Sequence, residues 1–293
     1  MAKSLKEKVL EEKFESILLL PENQSRQGEG GLRTKGILKH SSANEPLISI
    51  ITAVYNGEKH FEDTIQSILN QTYKNMEYII IDGGSTDRTL EIIKKYDDKI
   101  DYWVSEKDQG ISDAFNKGVK LAQGIYINFQ GDGDGFVSHD SLEKVFRGIN
   151  SEKDIFVSAK IKRVDVSGDE IFVSNQPKLF DKRSLLFRMP MPHQGLFTHI
   201  SYFKKYGLFN ETNIFSMDYE HLLRSYNEFP KVVLRDEVVA QWRADGLGNG
   251  RFLEIFREYD KIKRDNRIAS GFILSVINGW ILLKYFIKRM MHL

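Results

Sequence analysis

Between residues 46 and 135 the chain alternates short apolar runs with amphipathic stretches, and this rhythm restricts the fold more than any other feature. Leu47 to Val54 reads as a strand, and Lys59 to Asn70 carries Phe61, Ile65, Ile68 and Leu69 on one helical face. Met76 to Ile81 is a second strand, apolar nearly throughout, as expected where both sheet faces are covered. Thr86 to Tyr96 reads as a helix with Leu90, Ile92 and Ile93 inward and Thr86 or Asp87 as its cap. A short strand over Tyr102 to Val104, a helix over Ile111 to Ala122 and a strand over Ile125 to Phe129 continue the pattern. Strands alternating with helices of this length predict a doubly wound, largely parallel α/β sheet.

Ligands of such sheets bind outside the carboxyl ends of the strands. The fourth strand ends in Gly131-Asp132-Gly133-Asp134-Gly135, two carboxylates on a glycine-rich loop. Hard oxygen ligands in that place suit Mg²⁺ or Mn²⁺ bridging to a diphosphate. A solvated Asp-Gly turn would need no ligand and remains an alternative. A calcium loop does not fit: Gln130 and Ser141 stand where the EF-hand pattern needs Asp and Glu, and the flank is a strand. The first strand ends in Ala53-Val54-Tyr55-Asn56-Gly57 and the second in Asp82-Gly83-Gly84-Ser85-Thr86-Asp87. A carboxylate at Asp82 can accept from the N3–H of a uracil, or serve as a loop or cap residue. Tyr55 can lie against a base.

Outside this block the pattern is less regular. Residues 4–20 read as an amphipathic helix stopped by Pro21, and 21–46 as a linker or extended arm. Gly28-Glu29-Gly30-Gly31 reads as a flexible loop, because no strand precedes it and no Lys-Ser follows. Beyond Gly135, a helix over His139 to Ile149 precedes a hairpin of Asp154 to Lys160 with Glu170 to Ser174. An extended Met189-Pro190-Met191-Pro192 leads into His193-Gln194-Gly195. Met217 to Asn227 reads as a helix, Lys231 to Trp242 contains a strand, and two helices, over 251–267 and 271–287, close the chain.

Taken together, these segments closely resemble the inverting family 2 glycosyltransferases of the GT-A fold. The residues that carry the resemblance are Ile50-Ile51-Thr52-Ala53-Val54-Tyr55-Asn56, Ser67-Ile68-Leu69-Asn70-Gln71-Thr72-Tyr73 and Glu77-Tyr78-Ile79-Ile80-Ile81-Asp82-Gly83-Gly84-Ser85-Thr86-Asp87. Gly110-Ile111-Ser112-Asp113-Ala114-Phe115-Asn116-Lys117-Gly118, the loop Asp132-Gly133-Asp134, and Met217-Asp218-Tyr219-Glu220 with Arg224 complete the set. The resemblance spans 46–248. It implies a Rossmann-like, mostly parallel central sheet flanked by helices, with an N-terminal arm (1–45) and a C-terminal helical tail (249–293). Residues 46–135 would form the nucleotide-binding half and 136–248 the acceptor side.

By the same resemblance, the donor is a nucleotide sugar, with UDP the expected nucleotide, and the enzyme is of hexosyl- or N-acetylhexosaminyltransferase type. Ala53, Tyr55, Asn56, Asp82, Asp113, Asp132 and Gly133 would bind the nucleotide. Asp134, with Asp132, would hold Mn²⁺ or Mg²⁺, and Asp218 would be the general base towards a glycan or lipid-linked acceptor. The family's loop more often reads Ser/Ala-Asp-Asp, and the Asp-Gly-Asp spacing leaves open which oxygen meets the metal. His193, Gln194, Glu220, Trp242 and Arg243 are acceptor-side candidates. Each has a plain alternative: packing for His193, an i,i+4 ion pair with Arg224 for Glu220, and a surface carboxylate partner for Arg243.

Two rival functions are weighed on the residues. A sugar-nucleotide nucleotidyltransferase would want a Gly-rich loop with Arg and Lys at the first strand end, and Thr52 to Gly57 has neither. A non-catalytic binding module of the same fold would have no use for Asp82, Asp132, Asp134 and Asp218 together. A formal charge of +1 gives no field for nucleic acid. The absence of cysteine excludes disulfides and thiolate metal sites and is compatible with a reducing cytoplasm. Lys3, Lys6, Lys8, Glu11 and Glu12 break up any signal-peptide core at the N-terminus. From residue 251 on, nine Lys and Arg face four Asp and Glu. The apolar stretch there, Phe272 to Leu283, is interrupted by Ser275 and Asn278 and falls short of the about 20 clean apolar residues that span a bilayer. The tail is therefore expected either to lie in a membrane interface or to pack on protein, including a second subunit. The expected location is cytoplasmic, peripheral on the inner face of the cell membrane, where such bacterial enzymes build surface polysaccharides.

Overall fold

The computed structural model of the chain describes residues 14–42, 45–244 and 249–291. Ten strands form one sheet: β1 (Gly28–Gly30), β2 (Ile48–Val54), β3 (Met76–Asp82), β4 (Tyr102–Ser105), β5 (Tyr126–Gly131), β6 (Gly135–Phe136), β7 (Phe156–Val164), β8 (Glu170–Val173), β9 (Leu196–His199) and β10 (Val232–Arg243). Their order is β1-β4-β3-β2-β5-β9-β7-β10-β6, with β8 hydrogen-bonded to β7. The block β4-β3-β2-β5 is parallel, whereas β9 runs antiparallel to both β5 and β7. Strand order reverses between β2 and β5, which makes their carboxyl ends the switch point where such sheets receive ligands.

Both faces of the parallel block are covered, and the side chains alternate accordingly. Ile48, Ile50 and Val54 of β2, with Tyr78 and Ile80 of β3, pack under α1 (Phe61–Leu69) through Phe61, Ile65 and Ile68. Ile51, Ile79 and Ile81 face the other way, against Ala114, Phe115, Val119 and Leu121 of α3 (Ile111–Leu121). The α3 helix sits close to the sheet, since a Cβ at Gly118 would come within 2.3 Å of the Ile51 side chain. A third cluster, including Tyr202, Tyr219 and Leu222, fills the half built around β7, β9 and α6 (Met217–Leu223).

The N-terminal region departs from expectation. Of the helix expected over 4–20, residues 1–13 lie outside the described part, and 14–20 are irregular chain. Phe14, Ile17 and Leu20 still pack on the α3 side of the sheet. The glycine-rich stretch is no flexible loop: Gly28–Gly30 is β1, paired antiparallel with β4. Gly28 and Gly30 lie against the Trp103 ring, which leaves no room for a Cβ at 30. A loop-like sequence becomes an edge strand because it can approach that ring closely.

Arm and sheet are joined by one buried carboxylate. Glu77 accepts from Arg33 Nη2 at 2.5 Å, Ser49 Oγ at 2.5 Å, Gln123 N–H at 2.7 Å and Gly124 N–H at 3.2 Å. Arg33 also donates to the Leu121 carbonyl at 2.7 Å.

The tail forms α7 (Phe252–Asp265) and α8 (Gly271–Met290). By length and composition α8 is apolar enough to cross a membrane. This corrects the expectation that the segment is too short. The stretch read from the sequence stops at Leu283, but the helix continues through Tyr285, Phe286 and Ile287 with only two lysines before Arg289, and Ser275 and Asn278 do not interrupt it. Its exposed residues, Phe272, Ile273, Val276, Trp280, Leu283, Ile287 and Met290, recur at helical spacing and form one stripe.

Removing one member of a buried ion pair leaves the other charged and unsatisfied. Glu77→Ala is therefore expected to cost about 3–5 kcal/mol of stability in urea unfolding. Glu77→Ala with Arg33→Met should recover a good part of it. A single variant within 1 kcal/mol of wild type would show that the arm is not held through this pair.

Candidate active site

The strand ends that meet at the switch point are tied together before any ligand enters. Asn56 stands at φ +53°, a left-handed conformation that asparagine tolerates. Its N–H donates to Ser85 Oγ at 2.8 Å and its Oδ1 accepts from the Thr86 N–H at 2.9 Å, locking the loops after β2 and β3 to each other. At the end of β2 Tyr55 is 63% exposed. Asp113, in the first turn of α3, accepts from the Gln109 N–H at 3.0 Å and lies 3.5 Å from Lys117.

Asp82 is engaged by its own loop and by the end of β4. The side chain is fully buried, and its oxygens accept from the Ser85 N–H at 3.1 Å, the Ser85 hydroxyl and the Ser105 hydroxyl at 2.5 Å. Held by those three donors and shut off from solvent, Asp82 braces the loop after β3.

The aspartate loop divides its two carboxylates in the same way. Asp134 is buried; it accepts from the Gly131 N–H at 3.2 Å, Gln194 Nε2 at 2.8 Å and the Arg243 N–H at 3.2 Å. Asp132 is exposed and lies beside Gly57, where a Cβ would come 2.8 Å from its carboxylate. Gly133, at φ +78°, has the Arg243 stem across it, with a would-be Cβ 2.4 Å from Cδ. A side chain at 133 is therefore excluded on both conformational and steric grounds. Among the described residues, no group of three or more His, Asp or Glu is placed to hold a metal ion. The residues fit a divalent cation of the kind that takes one protein carboxylate and completes its shell with substrate phosphates and water. Asp132 is the carboxylate placed for that. Asp134, expected to be the principal ligand, is turned inward by the donors around it.

Gln194 belongs to an amide ladder. Its carbonyl accepts from Asn128 Nδ2 and Gln130 Nε2, each at 3.0 Å, while its side chain reaches Asp134. The neighbouring His193 faces the opposite way, stacked on Phe129 with ring centroids 5.0 Å apart. Its Nδ1 is 3.6 Å from Asp218 Oδ2. Burial pushes the His193 imidazole below its ordinary pKa, against the opposing pull of Asp218. Asp218 sits in the first turn of α6, as expected, with Oδ1 accepting from the Tyr219 N–H at 2.7 Å. Glu220 is held by Arg224, 2.6 Å away, and Arg224 in turn donates to the carbonyls of Tyr206 and Leu208, each at 2.7 Å. Trp242 lies under the Arg163 guanidinium, 4.6 Å from the ring centroid.

The structure thus brings Asp132, Asp134, Gln194, His193 and Asp218 into one connected region, and ties up Asp82 and Glu220. Sequence reasoning did not single out Asp108, Gly57 or the serines that hold Asp82. The short run Ser105-Glu106-Lys107-Asp108 at the end of β4 was the available signal. An open groove of about 450 Å³, lined by Asp63, Gln66, Ser67, Asn70 and residues 136–139, contains none of the expected site residues.

Residues 49–210 match the family described as "Glycosyl transferase family 2". An uncharacterized glycosyltransferase of Haemophilus influenzae is 38% identical over 146 residues, covering 49% of this chain and 58% of that protein. A second, from Rickettsia typhi, is 33% identical over 232 residues, covering 74% of this chain and 70% of the relative. A PGL/p-HBAD biosynthesis glycosyltransferase of Mycobacterium tuberculosis is 28% identical, over 80% of this chain and 91% of its own. Among solved structures, S. aureus TarS in complex with UDP-GlcNAc is similar, with a TM-score of 0.62 at 18% identity, covering 82% of this chain and 72% of that one. The mannosyltransferase PcManGT of Pyrobaculum calidifontis, in complex with GDP-Man and Mn²⁺, has a TM-score of 0.59 at 14% identity, covering 80% and 68%. At these identities the two structures establish the shared fold.

Proposed function

The chain belongs to glycosyl transferase family 2 and is a glycosyltransferase, and from that premise we propose an inverting, metal-assisted transfer from a UDP-sugar to a hydroxyl of a glycan or lipid-linked acceptor. One observation carries this reading: the consecutive residues His193 and Gln194 touch Asp218 on one side and the aspartate loop on the other. A carboxylate suited to a proton and a loop suited to a diphosphate are thereby linked through two consecutive residues. TarS, crystallised with UDP-GlcNAc, supports UDP as the nucleotide.

In this mechanism the uridine lies along the ends of β2 and β3 against Tyr55, with its ribose towards Asp113. The diphosphate reaches Asp132. A divalent cation held there by Asp132 and the diphosphate would neutralise charge on the leaving group. The acceptor hydroxyl loses its proton to Asp218 as its oxygen attacks the anomeric carbon from the face opposite the diphosphate. The bond from that carbon to the diphosphate oxygen breaks, and UDP departs. His193, kept neutral by burial, orients the Asp218 carboxylate, and the amide ladder through Gln194 fixes the aspartate loop relative to it. Glu220 has no part in the proton transfer, because Arg224 holds it. Residues 46–135 then serve the donor and 136–248 the acceptor.

The tail supports a place on the cytoplasmic face of a membrane, lying in the interface. The α8 helix packs lengthwise on the strongly charged α7: Asn278 accepts from Lys263 Nζ at 2.7 Å, and Tyr285 stacks on Phe252 with centroids 4.0 Å apart. Crossing the bilayer would drag that charged neighbour into hydrocarbon, whereas lying flat sets the apolar stripe into lipid. Lys284, Lys288 and Arg289 then meet anionic headgroups.

Three outcomes are expected. Asp218→Asn should lose about 10²–10⁴-fold in transfer rate while UDP-sugar affinity with Mn²⁺ stays near wild type. Normal turnover by Asp218→Asn together with loss in Glu220→Gln would place the base on the wrong carboxylate. In calorimetry, Asp132→Ala should abolish the enhancement of UDP affinity by Mn²⁺; an unchanged enhancement removes Asp132 from the metal site. In flotation assays the full chain should rise with anionic vesicles, and Trp280→Glu with Leu283→Glu should stay below. If the wild type never floats, the stripe is a protein-protein contact.

A further inference from the structure

At the ends of β3 and β4 a carboxylate occupies an unusual position. Asp82 and Ser105 are register partners at these two ends, and the chain continues from them as Gly83 and as Glu106-Lys107-Asp108. The Asp108 carboxylate lies directly over Gly83. A Cβ at 83 would stand 2.6 Å from Asp108 Oδ2 and 3.1 Å from its Cγ, and the three nearest atoms are all Asp108's. Glycine at 83 is thus the condition for Asp108 to reach over the end of β3.

Asp108 is also anchored from one side. Its Oδ1 accepts from the Gly110 N–H at 2.9 Å, and Gly110 stands at φ +115°, a conformation open to glycine that turns this N–H back. Among the described residues no protein group donates to Oδ2. The side chain is half-buried, and burial raises its pKa, with Asp113 and Asp82 adding to the rise and the Gly110 N–H opposing it. Lys117 also opposes the rise; it pairs with Glu106 at 3.0 Å. A carboxylate held in this way gains from a further N–H donor on its open oxygen.

The open oxygen lies on the donor side of the crevice. The Gly83 N–H donates to the Val54 carbonyl at 2.9 Å, which sets Gly83 beside the end of β2 that carries Tyr55. Strand spacing places Asp108 and the aspartate loop after β5 two to three strands apart, about 10–14 Å, a separation that a nucleoside diphosphate spans. Asp82, the carboxylate at the end of β3 itself, is buried and held by Ser85 and Ser105.

We propose that Asp108, admitted by Gly83, is the residue that reads the donor nucleobase, accepting a ring N–H on its open oxygen. The chemistry selects a base with a protonated ring nitrogen on its pairing edge, N3–H of uracil or N1–H of guanine, over cytosine, whose N3 has none. This inference rests on the nucleotide-sugar reading above and refines it.

Calorimetry on the full chain with UDP, GDP, CDP and pyrophosphate, each with Mn²⁺, tests it. Asp108→Asn should weaken UDP by tenfold or more, the range of a lost hydrogen bond to a charged group. It should leave pyrophosphate unchanged and narrow the preference for UDP over CDP, since an amide can donate to cytosine N3. If GDP is the nucleotide weakened, the base-reading role stands and the base is guanine. Moving the carboxylate, as in Gly83→Asp with Asp108→Gly, should bind the base more tightly than Asp108→Gly alone, provided its ligand-free melting temperature matches wild type. UDP affinity unchanged in Asp108→Asn, or UDP and pyrophosphate weakened together, would overturn the inference. Wild type that binds no nucleoside diphosphate would instead sink the donor reading itself.

Discussion

The Glu77 carboxylate is the contact on which the parallel block depends. From the amino ends of the strands it joins β3 to Ser49 of β2, to the turn 123–124 that starts β5, and to Arg33 of the arm. Three chain segments remote in sequence are fixed against one side chain of a fourth, and the fixing is done in a dry environment. A buried charge is tolerable only when such partners are all in place. The relative register of β2, β3 and β5 is thereby set at one end of the sheet. The same register determines which residues emerge together at the other end, where Tyr55, Asp82 and Asp132 appear. The arm is therefore a structural part of the parallel block.

At the carboxyl ends, burial assigns different work to chemically identical groups. Asp82 and Asp134 are enclosed by N–H and O–H donors and hold loops in shape. Asp132 is exposed, and Asp108 keeps one oxygen open beside the donor strands. Asp218 stands in the first turn of a helix with its second oxygen near a neutral imidazole. In the mechanism proposed above this division is an advantage, because a bracing carboxylate keeps a presenting one from reorganising when charge develops. Gly57, Gly83 and Gly133 are the complementary requirement: each lies where a carboxylate or an arginine stem passes too closely for a side chain.

The tail follows the same logic of matched surfaces. Asn278, Leu274 and Tyr285 bind α8 to the protein, and the opposite stripe carries no charge until its last turns. One side of the helix satisfies its polar groups on α7, and the other is an exposed apolar stripe. An amphipathic helix lying at an interface satisfies both sides at once.

The alternation from Leu47 to Phe129 was legible in the sequence because side-chain periods of 2 and 3.6 are local properties, read correctly from neighbours a few residues apart. The β2 and β3 strands, the α1 and α3 helices, and Asp218 at the start of α6 all lie where those periods and the family resemblance put them. What the periods could not convey is which polar side chains find partners across space. The role of Asp82 turned on Ser105, and that of Asp134 on Gln194 and the Arg243 backbone. Gly28–Gly30 became a strand only because Trp103 offers it a flat surface and β4 an open edge. Local sequence specified the elements and their order, while the tertiary structure decided which carboxylates are buried as braces and which reach the surface, because burial and donor contacts come from distant segments.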